Sequence, residues 1–479
     1  MGAGQRRAAD QGRAVAELLL SGEADGVGEV LPGAGPEAWT AFDEEVRSIH
    51  RRWYGFPRSN RAEVRLCHPD GRVREGALRA PHPPPELLVI RCADWVPAVR
   101  EQARRRLTEA LAADPVPVLH RLTPLVLRLG RRGQGAWALE RFGAELRGSG
   151  SGSGGGSGVL AGLLDSADLP TRRFAARLAV EAGEYDVREL ARRAAEEPDP
   201  VTAGQWADSA LAAMAADGPD DEAVDRLRGA RIPMVRAAGV TALRRAGRAS
   251  EAARHLTDRS GLVRACARWL VRQDGGDPYA RYRELVADPA RVSPYAVTGF
   301  SECAERADAP LLRALLEHRA DAVRAAALGG LRALDGTVDQ DRLRALLDDP
   351  SPAVAREASL SLCDSAERLP ADWLLARITP ERPPHTRRAA YRLLHTRGGV
   401  AGLRASVELL TDRDPGLRHI AAQRIRSLWS PYRPPGLPFR DLEVGALLDR
   451  CTHLFSDYVM NRMRSQLGLP RPRSTTDGY

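Results

Sequence analysis

Cys67, His68, His82 and Cys92 put four metal-ligand or nucleophile types into one short stretch of the chain. Zinc modules place their ligands in pairs a few residues apart. The intervals here, 1, 14 and 10, match no such module. The thiols therefore read as core residues and the histidines as turn residues. No GxxxxGK[ST], HExxH or GxSxG pattern occurs, and the one glycine-rich tract lies between helical patterns instead of following a strand. No catalytic residue, metal or cofactor is expected. A second gathering carries binding chemistry: Arg51, Arg52, Arg58, Arg61, Arg65, Arg72 and Arg74 interleave with Trp53, Tyr54 and Phe56, and Arg104, Arg105 and Arg106 follow on one helix. Guanidiniums that meet phosphates beside rings that stack on bases are the ingredients of a nucleic-acid surface. The candidate binding set is Arg51, Arg52, Trp53, Tyr54, Arg58, Arg61, Arg104, Arg105 and Arg106.

Total charge supports that set less than position does. The 479 residues carry a net charge of +8 and no lysine, so all 71 cations are arginine. Asparagine occurs only at Asn60 and Asn461. Residues with A/T-rich codons are scarce throughout, which a GC-rich genome explains without selection for phosphate contacts. By segment, residues 47–147 hold 20 Arg against 10 acids, residues 366–479 hold 19 against 11, and residues 148–365 hold 29 against 33. Both ends are basic and the middle is not. Six scattered cysteines read as reduced core thiols. No signal peptide or membrane span is recognisable, so the expected location is cytoplasmic.

The elements that would position these residues follow from periodicity. Residues 309–365 contain two copies of one helix-turn-helix unit. Each has a first helix ending in a leucine pair (Leu315/Leu316, Leu346/Leu347), a polar turn, and V-R or V-A-R opening an alanine-rich second helix. The opening arginine recurs at Arg100, Arg172, Arg236, Arg264, Arg324, Arg356, Arg387 and Arg418. Once two degenerate copies and the 11-residue tract 148–158 are allowed for, the period is near 31 and the count about eleven helix pairs. Pairs of this kind bury their faces by stacking.

These units resemble HEAT repeats of the short kind found in phycobilin lyase-like proteins. The resemblance implies an all-α, right-handed α-α superhelix. It also implies that the landmark arginines bond turn aspartates between neighbouring repeats, with Asp94/Arg100, Asp349/Arg356 and Asp414/Arg418 as fitting pairs. Another HEAT-like family, the bacterial alkylpurine DNA glycosylases, uses tryptophans and a catalytic aspartate. Trp206 with Asp208 and Trp373 with Asp372 are the nearest features here, at a spacing that is not that family's.

Around the array the chain reads as follows. Residues 1–35 form a tail with one short helical pattern. Residues 36–85 form a cap with an amphipathic helix and a β-hairpin over Ala62–Leu78, turning at HPDG. Residues 86–147 hold the first repeats, and 148–158 a Gly/Ser linker with a root-mean-square span of about 18 Å. Residues 159–430 are the main array, 431–469 one long capping helix, and 470–479 a tail. The expected function is a non-catalytic scaffold for a protein or peptide partner on the concave face. Nucleic-acid binding at the basic ends is the alternative, and no membrane partner is expected.

Overall fold

The computed structural model describes residues 3–24, 26, 27, 31, 35–52, 61–148, 156–288, 290, 292–334, 338–430 and 436–470, with backbone alone at 3, 51, 52, 156 and 157. Among these residues there are 27 α-helices, six 3-10 turns and no strand. They form two compact units, Met1–Gly247 and Arg248–Tyr479.

The first unit opens with α1 (Ala3–Ser21) packed on α2 (Pro36–Arg52). The stretch expected to be mostly tail thus holds a 19-residue helix. Its Val15, Ala16, Leu19 and Leu20 recur at helical spacing and are buried, as are Trp39, Phe42 and Val46 of α2. Gly12 permits the crossing, because a Cβ there would lie 2.1 Å from the Ala38 carbonyl oxygen.

The expected β-hairpin is instead a helix pair, α3 (Ala62–Leu66) and α4 (Gly71–Ala77). Asp70 in the HPDG turn caps α4 by accepting the Arg72 N–H at 2.9 Å. The buried residues Arg74, Ala77 and Leu78 fall at i, i+3 and i+4, one helical face. Runs of five to seven residues are too short for alternation to be told from helical spacing. The decisive signal was Val73-Arg74, the same dipeptide that opens the later second helices.

The unit continues through α5 (Pro85–Arg91), α6 (Pro97–Ala113), α7 (Pro115–Leu129), α8 (Ala136–Gly148), α9 (Gly156–Leu164), α10 (Leu169–Ala182), α11 (Val187–Glu196), α12 (Pro200–Asp217), α13 (Asp221–Gly229) and α14 (Pro233–Ala242). Prolines at the first helical turn recur because their missing N–H is unpaired there in any case. Most of the Gly/Ser tract lies outside the described residues, but the helices on either side of it, α8 and α9, pack together.

The second unit begins with a 3-10 turn, Ala249–His255, against α15 (Gly261–Gln273). It runs on through α16 (Pro278–Ala287), α17 (Pro294–Ser301), α18 (Ala309–Ala314), α19 (Asp321–Ala333), α20 (Gln340–Leu346), α21 (Pro352–Ser361), α22 (Ala371–Leu375), α23 (Pro384–Arg397), α24 (Gly399–Glu408) and α25 (Pro415–Arg426). The second helices α17, α19, α21 and α23 pack side by side in that order. Gly330 sets the closeness of α17 and α19, since a Cβ on it would lie 2.1 Å from the Ser301 Oγ.

The expected single capping helix is two, α26 (Leu442–Arg450) and α27 (Asp457–Gln466). Ser456 starts a new helix by accepting the Val459 N–H. Arg464 then ties α27 back to Asp449 at 2.6 Å. Val444, Leu448, Cys451 and Met463 close over Leu403, Val407 and Ile425, so both helices cover the last repeat. Among the described residues no helix is long and apolar enough to cross a membrane.

Candidate binding surface

One arginine in each of several second helices is committed to holding a turn. In seven second helices, the arginine four residues after the N-cap donates from Nη1 to the carbonyl oxygen six residues earlier. The pairs are Arg74 with His68, Arg100 with Asp94, Arg172 with Ser166, Arg236 with Ala230, Arg264 with Asp258, Arg324 with His318 and Arg418 with Asp412, at 2.6–3.0 Å. Each bond closes a turn whose carbonyl would otherwise lack a partner.

The carboxylate links run between neighbouring repeats and follow a rule. An arginine at that ladder position reaches the aspartate two residues before the next second helix's N-cap: Arg74 to Asp94 (2.8 Å), Arg324 to Asp349 (3.0 Å) and Arg387 to Asp412. An arginine one residue later reaches the N-cap aspartate itself: Arg173 to Asp199 (2.8 Å) and Arg388 to Asp414 (2.5 Å). Bonding between neighbouring repeats is as expected, but the three expected pairs are corrected. Asp94 bonds Arg74, Asp349 bonds Arg324, and Asp414 bonds Arg388. The Arg173 guanidinium and the capped Thr202 N–H hold the Asp199 carboxyl far below the usual carboxylate range.

Arg356 is not a ladder residue. In V-A-R the extra residue shifts the register, so Ala355 takes the buried position and the Arg356 side chain points outward, 63% exposed. It pairs with Glu357, which also accepts from Arg332 at 2.8 Å.

Here α17, α19 and α21 enclose a groove of about 560 Å³. Ala326, Gly329, Ala333 and Ala353 pave it, with Glu302, Arg332, Arg356 and Glu357 at its edges. Ser301 and Thr298 also line it, but their hydroxyls donate to Val297 and Pro294 carbonyls of their own helix. Glu302 is occupied by Arg264 and Arg268, which draw its pKa down against the opposing effect of burial. The surface has close-approach backbone, small side chains and paired charge, which suits binding and offers no nucleophile beside a base.

The residues singled out from sequence fall elsewhere. Trp53, Tyr54 and Arg58 lie outside the described residues, as do the side chains of Arg51 and Arg52. Arg61 is half-buried and Arg105 exposed. Arg104 donates to the Cys92 and Gln134 carbonyls and lies over the Trp137 ring. Arg106 donates to the carbonyls of Leu78, Ala80 and Pro81. These two hold the turns around α4 and α5 in place. Cys67 and Cys92 are buried, and burial pushes the Cys92 thiol up to about 12. No group of three or more His, Cys, Asp or Glu side chains among the described residues is placed to hold a metal ion. Trp206 is core, edge-on to Tyr185, while Asp208 points to solvent. Trp95, not anticipated, is 61% exposed, with the guanidiniums of Arg47 and Arg74 at 4.6 and 4.3 Å from its ring centroid.

No protein-family model matches the chain, and no curated protein matches it. Among solved structures, a crystal structure of importin beta in an ammonium sulfate condition is similar at 14% identity and a TM-score of 0.31, over 96% of this chain and 64% of that one. A crystal structure of Kap121p is similar at 13% identity and a TM-score of 0.24, over 96% and 55%. The chain spans less than two thirds of the length of either.

Proposed function

We propose that the chain is a non-catalytic scaffold of HEAT-like repeats that takes a protein or peptide partner on the face lined by its second helices, the concave face in arrays of this type. The groove across α17, α19 and α21 carries this reading. Its alanine and glycine floor admits a partner backbone at short range, and its hydroxyls and carboxylates are already bonded within the chain. The nucleic-acid alternative draws no support from Arg104 and Arg106, whose donors are spent on carbonyl oxygens.

The test is a selection of peptides from a random display library against the full chain, followed by Ala326→Trp, which fills the groove from a half-exposed position. Selected peptides are expected to lose about tenfold or more in affinity, the scale of a blocked contact centre. Undiminished binding by Ala326→Trp at unchanged helix content would remove the groove from this reading.

A further inference from the structure

Beyond the groove the second-helix face changes electrically. Arg356 on α21, Arg392 on α23 and Arg424 on α25 supply one guanidinium per helix. Arg392 donates to the Ser359 Oγ, and Arg424 donates to the Tyr391 carbonyl at 3.4 Å while lying over the Tyr391 ring at 4.5 Å. No carboxylate of the described residues is within salt-bridge reach of Arg392 or Arg424. Glu357 is shared by Arg332 and Arg356. Elsewhere in this unit Arg264, Arg268, Arg324, Arg387 and Arg388 each have a carboxylate. Burial, with the Arg356 and Arg424 charges beside it, draws the Arg392 pKa down against the opposing pull of Cys363 and Glu357. Burial and Arg424 do the same to His395. Arg332, Arg356, Arg392 and Arg424 thus have the single carboxylate of Glu357 among them, and like charges in such excess raise the free energy of the unliganded surface, which an arriving anion relieves.

We propose that the strip Arg356, Arg392 and Arg424 binds the carboxylates of an acidic linear peptide whose small neutral residues lie in the adjoining groove. The proposal rests on the scaffold reading for the groove and adds the chemistry of the partner. α21 packs directly on α23, where a spacing of about 8–10 Å is usual, and Arg424 of α25 reaches Tyr391 of α23. A polyproline II peptide rises about 3.1 Å per residue with three residues per turn, so every third side chain returns to one face after about 9 Å. An acid at every third position therefore meets one arginine per helix, and guanidinium and carboxylate pair in a planar fork. A nucleic acid fits less well. Its phosphates continue without a break, and Glu302 and Glu357 line the groove that continues the strip. A peptide alternates charge with neutral backbone and can cross both.

The probe is a fluorescein-labelled (Glu-Ala-Pro)4 peptide titrated with the full chain by anisotropy, beside (Lys-Ala-Pro)4 and a twelve-residue oligothymidylate. The acidic peptide is expected to bind, the lysine peptide not. Affinity should fall about tenfold between about 50 and 300 mM salt, as exposed charge pairs are screened. Arg392→Gln/Arg424→Gln should weaken it about tenfold or more. Should that double variant lose helix content, Arg356→Gln and Arg424→Gln singly carry the test, at about threefold each. Absence of binding, unchanged binding by the arginine variants, or tighter binding of oligothymidylate than of the acidic peptide overturns the proposal. If library-selected peptides are blocked by Ala326→Trp yet indifferent to the arginine changes, the acidic partner is wrong and the scaffold reading stands.

Discussion

Arginine does two different jobs in this chain, and position relative to the N-cap separates them. Arg74 is fully buried, donating to the His68 and Pro69 carbonyls and in a fork to Asp94, which Arg91 also contacts. Truncating Arg74 leaves the buried Asp94 with Arg91 as its one remaining cation and takes the donor from the His68 and Pro69 carbonyls. Arg74→Met is expected to destabilise the first unit by about 3–5 kcal/mol, read as a lowered urea midpoint of the full chain. Arg356→Met, at the shifted position, should stay within about 0.5 kcal/mol. Equal losses from the two variants would dissolve the distinction between ladder and surface arginines. The contrast was half legible in sequence. The V-R dipeptide announced the ladder, but V-A-R looked like the same signal, and only the helix register shows Ala355 standing in for the arginine. Likewise bonding between neighbouring repeats was legible but the pairs were not, because each arginine reaches the aspartate 20–26 residues on and not the nearer one that local spacing offers.

Among the elements, helix closeness is set by glycine at a few crossings. Gly330 on α19 faces Ser301 of α17 and Leu312 of α18, with Cβ distances of 2.1 and 3.0 Å. Gly330→Val must push the helices apart and should cost about 1–3 kcal/mol, the range for overpacking. Combining it with Ser301→Gly should recover part of that loss in a double-mutant cycle. Additive losses would mean that the crossing is not the cause. The repeated helix pairs were readable because leucine pairs and V-R recur with a 31-residue period. The pair α3 and α4 was missed because its arginine precedes Arg100 by only 26 residues and its runs are short. The groove was not readable at all. Alanine and glycine pave it, and those residues also fill the buried contacts between helices, so composition does not separate floor from core.

For the molecule as a whole, the titrating groups that matter are carboxylates and thiols, because every cation besides histidine and the amino terminus is arginine. Asp199 and Asp220 in the first unit, and Glu302 and Asp414 in the second, all have pKa values held down in the fold. Arg173 and Arg264 favour the ionised form of Asp199 and Glu302, while at Asp220 and Asp414 the backbone N–H groups of Ala223 and Gly416 do so first and Arg188 and Arg388 add to it. A depressed folded pKa contributes stability that is complete above the unfolded value, about 4, and is lost as pH falls through the folded value. The urea midpoint is therefore expected to drop below about pH 4, and Asp199→Asn should shallow that drop. The thiols act in the opposite sense. Cys92, pushed up to about 12, and Cys451, pushed up to about 11, contribute stability that is complete below the unfolded thiol value, near 8.5, and is lost as pH rises beyond it. The midpoint should then decline above about pH 9, and a flat profile from pH 3 to 10 would contradict both assignments.

The ladder also bears on how such a chain changes length over generations. Among the described residues these five links from an arginine to a turn aspartate stop at the adjacent repeat, and the turn-closing bonds stay inside their own. A recombination event that copies or drops one whole repeat therefore re-forms such a bond wherever the arginine and aspartate of the new neighbours stand in the same register. An insertion of a few residues within a repeat breaks them. Length can drift in steps of one repeat at little cost, while phase is fixed, and the strip on α21, α23 and α25 keeps its spacing for as long as those three repeats are inherited together.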